Sequence, residues 1–251
     1  MNKPHLLSFM LILLLVSCKK EVTLVKIEGQ RIEINDSFSS NSSIDDFVKP
    51  YREKINKDLD SVLCYSVDTY SKSDGDLNTA IGNFVADAVF ELSNPVFKSR
   101  TGNDIDFVLL NHGGIRSVIS KGNITTRTAY EVMPFENSIV VVGLKGQNIK
   151  DLLAYLTKAK RAHPISGLKI ELDKNHEITE SLINNLPIDY NKTYYVATND
   201  YLYNGGDGMT FFQPNESSLS IDYKVRNILI DYFKKVDTIN PIKDDRFTQK
   251  K

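Results

Sequence analysis

Three short polar segments hold the side chains best suited to gripping a ligand. In Leu110-Asn111-His112-Gly113-Gly114-Ile115-Arg116, adjacent glycines let the backbone turn sharply or approach a bound molecule closely. The arginine beyond them offers a fork that matches phosphate or sugar oxygens. In Met133-Pro134-Phe135-Glu136-Asn137, a proline-fixed bend would hold an aromatic ring at a loop edge. Asn199-Asp200-Tyr201-Leu202-Tyr203-Asn204-Gly205-Gly206-Asp207-Gly208 concentrates three glycines, two tyrosines and two aspartates in one stretch. An ordinary hairpin turn needs no such concentration. It suits a ligand loop, with a ring to stack on and a carboxylate to accept hydroxyl hydrogens. Taken singly, a Gly-Gly pair is a turn and Phe135 an anchor of its loop.

No catalytic constellation emerges beside them. After residue 20 the histidines are His112, His163 and His176, with no D-x-H or H-x-H pattern, and no Ser-His-Asp or Cys-His spacing is visible. Cys64, between apolar neighbours and Tyr65, reads as a buried structural thiol. With 31 basic against 32 acidic side chains the net charge is −1, and no local basic stripe compensates, which argues against a nucleic-acid partner.

The elements that must position these segments can be read from periodicity. Apolar residues recur at helical spacing from Ser43, with Ser43 and Asp46 as a capping pair and Pro50 arguing for a later start or a kink. Further helices are predicted over 78–92, 148–158 and 223–236. Strands are predicted over 106–110, 138–144, 167–172 and 193–198, where β-branched and aromatic runs end at turn residues. The order is mixed rather than strictly alternating, which predicts an α+β domain with mixed β-sheets over 46–247.

Residues 1–17 have the layout of a signal peptide: a lysine, a short apolar run, then Ser17 and Cys18. The apolar run is too short to span a bilayer of about 30 Å. Leu15-Val16-Ser17-Cys18 resembles the lipobox of bacterial lipoproteins, which makes Cys18 the expected lipidation site and membrane anchor in the cell envelope, periplasmic or outer-membrane. Residues 18–45 read as a tether, with the alternation at 25–28 and 31–34 suggesting a short hairpin.

In order and spacing the three ligand segments, together with Ile81-Gly82-Asn83 and Gly122-Asn123-Ile124-Thr125, resemble the C-terminal domain of the 5'-nucleotidase and UDP-sugar hydrolase family. The resemblance implies that domain's fold and a substrate-binding role. It places Phe135 and Tyr201 on the two faces of a base, Asn137 at the base edge, Asp207 at ribose hydroxyls, Arg116 at ribose and phosphate oxygens, and Asn111 in the pocket lining. His112 stands where the family has its first glycine, and is expected to narrow or re-aim the pocket. The family's phosphate-holding arginines near the Gly-Asn helix are missing, with Lys72 the nearest cation.

Family members hydrolyse phosphoesters with a metallophosphatase domain whose two metals activate water. No such motifs occur in this sequence, so no catalytic residue, metal ligand or cofactor is assigned to it. The resemblance implies a nucleotide-binding chain working with a separately encoded metallophosphatase chain that would carry the divalent metals. The alternative is a non-catalytic lipoprotein that captures nucleosides or nucleotides.

Overall fold

The computed structural model describes residues 23–35 and 37–250. The signal peptide and lipobox reading lies outside those residues. Within 23–35 no strand forms, so the alternation read as a hairpin makes no ladder. Period-2 patterning alone does not stabilise a two-stranded ribbon without an apolar surface to cover.

The first helix, α1, spans Ser42–Leu59 and runs through Pro50. None of its residues is buried, and Ile44, Phe47, Tyr51 and Ile55 stay exposed. The apolar stripe is legible in the sequence, and these side chains stay largely exposed.

Strand β1 (Val62–Ser66) leads to α2 (Ala80–Thr101). Thr79 caps α2 by accepting a hydrogen bond from the Gly82 N–H, and Gly102, at φ 77°, ends it. The predicted span stops at 92, whereas the helix passes Pro95 and continues, its later turns held by buried Phe97. Next come β2 (Phe107–Leu109), β3 (Gly122–Thr125), α3 (Thr126–Val132), β4 (Ser138–Leu144) and α4 (Gln147–Ala159). Short strands β5 (Ile165–Ser166), β6 (Leu168–Leu172), β7 (Ile178–Ile183) and β8 (Leu186–Pro187) precede β9 (Tyr194–Asn199). The chain then forms α5 (Asp200–Tyr203), β10 (Ser217–Lys224), α6 (Val225–Lys235), β11 (Thr238–Ile239) and β12 (Phe247–Gln249). The domain is α+β with mixed sheets.

The central sheet has the order β10-β4-β9-β2-β5. Its two faces feed separate cores, as alternation along a strand requires. Val108, Leu110, Ile139, Val141 and Ala197 face α2 and α6, while Phe107, Leu109, Val140, Val142 and Val196 face α4 and the apolar side of β6. Burying both faces makes these strands near-continuously apolar, which is why they were readable.

Pairing in this sheet decides where the polar segments go. Strands β2 and β9 are parallel, with Val108 opposite Ala197, so their C-terminal ends emerge side by side. Strand β4 is antiparallel to β9, with Ile139 opposite Asn199, so its N-terminal end emerges there too. The loops after β2, before β4 and after β9 are thus gathered at one sheet edge, where ligands of open sheets bind.

Candidate functional site

At that edge Asn111, Arg116, Phe135, Asn137, Tyr201 and Asp207 line one cavity of about 310 Å³, joined by Gly113. All six nominated residues therefore come together. His112 does not join them: it lines an adjoining cavity, with its Nδ1 3.1 Å from the Ala162 carbonyl. Of the expectation that it narrows or re-aims the pocket, the narrowing is corrected by that turn of the side chain.

Phe135 is 42% exposed and Tyr201 45% exposed. Large rings left half in water beside a cavity are costly to solvate and well placed to stack on a planar ligand. The Arg116 guanidinium lies 5.9 Å from the centre of the Phe135 ring, and its Nη1 donates to the Gly113 carbonyl at 3.4 Å. That leaves most of its donors available. Lys72 donates to the Ile115 carbonyl at 2.7 Å, one residue before Arg116. Burial, followed by the Arg116 charge, pulls this ammonium below the usual lysine range.

The loop after β9 is shaped by its glycines and by one tyrosine. A Cβ on Gly206 would fall 2.5 Å from Cε1 of Tyr201, so only glycine lets the ring lie against the backbone. Asp207 sits in the left-handed region at φ 53°, a conformation that a non-glycine residue keeps only when its surroundings impose it. Those surroundings are visible. The Tyr201 hydroxyl donates to Asp207 Oδ1 at 2.9 Å and accepts from the Asp207 N–H at 3.2 Å, and the Tyr155 hydroxyl donates to the Asp207 carbonyl at 2.9 Å. The carboxylate keeps its second oxygen for an outside donor.

Residues that sequence reasoning missed hold the loops in place. Asn199 donates to Asn111 Oδ1 at 2.9 Å and accepts from the Leu202 N–H at 2.9 Å, so the group Asn111 can offer a ligand is its Nδ2 donor. Asp200 accepts from the Ser138 N–H at 3.1 Å, tying α5 to the start of β4. Buried Arg226 donates to the Pro134 carbonyl at 3.0 Å, stacks 4.1 Å over the Tyr130 ring and pairs with Glu136, which Lys224 also engages. Those bonds, from Lys224 first and Arg226 next, hold the Glu136 carboxyl down to about 2. No local motif announces Arg226, because its partners are about ninety residues away in the chain.

Among the described residues no group of three or more His, Cys, Asp or Glu side chains could hold a metal ion. Cys64 is a buried free thiol whose burial pushes it up to about 11, far from reactive at neutral pH. Chemically, the edge offers two rings, one carboxylate, one guanidinium and two amides around a small cavity, groups able to stack on a planar molecule and to hydrogen-bond hydroxyl and anionic oxygens.

The family model described as "5'-nucleotidase, C-terminal domain" matches residues 61–214. A 5'-nucleotidase of Vibrio parahaemolyticus is 25% identical over 227 residues, covering 86% of this chain and 38% of its own length. A cell wall protein of Listeria monocytogenes is 30% identical over 182 residues, covering 66% of this chain and 22% of its own. The solved 5'-nucleotidase precursor of Thermus thermophilus shares the fold, with a TM-score of 0.68 at 23% identity over 83% of this chain and 42% of that one. The chain spans less than half the length of each of these proteins.

Proposed function

Because the chain belongs to the 5'-nucleotidase C-terminal domain family, we propose that it is the substrate-holding part of a nucleotide-hydrolysing system. It binds a nucleotide or nucleoside by base and sugar, while a separately encoded metallophosphatase chain cleaves the phosphate. The observation that carries this reading is the shared lining of one cavity by Phe135, Tyr201, Asp207, Arg116, Asn111 and Asn137.

In this reading the base stacks on Phe135 and Tyr201, worth roughly 1–3 kcal/mol per ring contact. Asn137 meets the base edge, Asp207 accepts ribose hydroxyl hydrogens, and Arg116 and the Asn111 amide donate to sugar or phosphate oxygens. The divalent metals that activate water belong to the partner chain. Substrate-side residues here contribute position, which is the larger part of what a two-part site needs from its binding half.

Calorimetry with adenosine, uridine and their 5'-monophosphates tests the binding. Saturable heats at submillimolar ligand are expected, and silence at millimolar ligand rejects the site. Adding the metallophosphatase chain with Mn²⁺ or Zn²⁺ is expected to create hydrolysis absent from either chain alone. A binding lipoprotein without a catalytic partner gives the same calorimetry and no gain on addition.

The same reading places the chain in a bacterial envelope, lipidated at Cys18. The lipobox-like end of a short apolar run supports this, as does similarity to a cell wall protein. Mass spectrometry of the native protein is expected to find a diacylated Cys18 as the first residue, and another unmodified start rejects the anchor.

A further inference from the structure

A second cavity, of about 630 Å³, adjoins the first and shares Gly113 and Asp207 with it as a common wall. The contacts proposed for base and sugar leave it unused. Its lining carries Lys158 and Arg161 from the end of α4 and the turn after it, with His112 and His163.

The charges there are unbalanced. Lys158 and Arg161 are exposed and form no ion pair with any described residue. The one acid in the lining is Asp207, already engaged by the Tyr201 hydroxyl. His163 is 3% exposed, and its Nδ1 lies 3.3 Å from both the His112 N–H and the Leu110 carbonyl. Whichever tautomer those contacts select, its Nε2 is buried without a partner. Buried polar atoms in native structures are nearly always satisfied, so this nitrogen, on a residue lining the cavity, is a hydrogen-bonding group that no described residue uses.

We propose that this second cavity is a phosphate subsite, receiving a phosphate ester carried on the sugar of the nucleoside held in the first. The inference rests on the reading of the first cavity as a nucleoside site. A sugar in contact with Asp207 stands at the shared wall, so a substituent on it is within reach of the second cavity. The Arg161 fork and the Lys158 ammonium match a dianionic ester, and His112 adds a ring nitrogen. The subsite also supplies cations at the end of α4, in a sequence that has no arginine between Arg52 and Arg100 to hold phosphate at the start of α2.

The test is calorimetric titration of the full chain with adenosine, adenosine 5'-monophosphate, adenosine 3'-monophosphate and inorganic phosphate, at low and high salt. The same series is run on the double variant Lys158→Ala/Arg161→Ala, whose positions are exposed and leave the core untouched. At least one monophosphate is expected to bind about tenfold tighter than adenosine, the scale of a charge-assisted hydrogen bond. The double variant is expected to lose that advantage while binding adenosine as the wild type does. High salt is expected to shrink it, since both cations are exposed. Whether the 5' or the 3' ester gains tells which sugar oxygen faces the subsite. Equal binding of adenosine and both esters, or an advantage that survives the double variant, overturns the subsite and leaves the nucleoside cavity standing. Absence of any adenosine binding overturns the underlying reading instead.

Discussion

Asn199 and Asn111, at the adjacent ends of two parallel strands, are joined by an amide hydrogen bond of 2.9 Å inside the protein. With its other amide atom Asn199 caps α5. One side chain that lies outside the cavity lining therefore sets two of the three loops that form it.

Replacing Asn199 with Ala removes the cap and strands the buried Asn111 oxygen. Together these changes are expected to cost about 2 kcal/mol of stability, read by urea unfolding. Nucleoside affinity is expected to fall as well, although Asn199 touches no ligand in the proposed site. Unchanged affinity would show that Asn111 needs no such support.

Phe135→Ala and Tyr201→Ala are each expected to weaken nucleoside binding by about 1–3 kcal/mol. Tyr201→Phe separates stacking from the hold on Asp207. It keeps the ring and loses the hydroxyl bonded to the Asp207 carboxylate. Its loss is expected for ribonucleosides and not for 2',3'-dideoxynucleosides. Equal loss for both would remove Asp207 from the sugar. With no Trp in the chain, tyrosine emission reports the titration.

Glu136 pins the Phe135 loop through Lys224 and Arg226. Its carboxyl lies below the ordinary value of 4.5, at about 2, so its contribution is complete above about pH 4.5 and is lost as pH falls through 2. Amide protection factors across 133–137, with exchange corrected for its intrinsic pH dependence, are expected to drop over that window in the wild type. Glu136→Gln should show low protection at every pH; wild-type protection flat from pH 5 to 2 would exclude the pin.

Burial lowers His163 from 6.5 to about 4, against smaller opposing effects of the Leu110 carbonyl and the Asp207 charge. The unfolded chain takes up a proton near pH 6.5 that the folded one refuses. Stability is therefore full above pH 6.5 and falls as pH drops toward 4, by up to about 3 kcal/mol. Urea midpoints across that range should fall less steeply in His163→Gln.

In the reconstituted system, Asp207→Ala and Arg116→Ala are expected to raise KM about tenfold or more with a smaller change in kcat, provided these contacts are equal in ground and transition states. A loss confined to kcat would give these residues a role in the chemical step instead.

Much of the site's chemistry was written locally. The Gly-Gly turn before Arg116, the ring of Phe135 after a proline, and the glycine cluster around Asp207 each sit within about ten residues, where side-chain type and backbone freedom decide the outcome together. Strand β4 at 138–144 was legible to the residue because both its faces are buried. Strand β10 was missed, its first half being mostly exposed at the sheet edge and its end merging with the helical pattern of α6.

The chain by itself determined which side chains were suited to grip a ligand and that an α+β domain would carry them. Only the tertiary structure decided that they would meet. That depended on the parallel match of Val108 with Ala197 and the antiparallel match of Ile139 with Asn199, and on Arg226 reaching back to the loop of Pro134. It also decided that α1 would keep its apolar stripe in solvent and that His112 would turn into the neighbouring cavity. Periodicity and turn chemistry act over a few residues, whereas strand partners and side-chain pins are chosen by packing between segments some 60 to 90 residues apart. Such choices leave no trace in any one stretch of sequence.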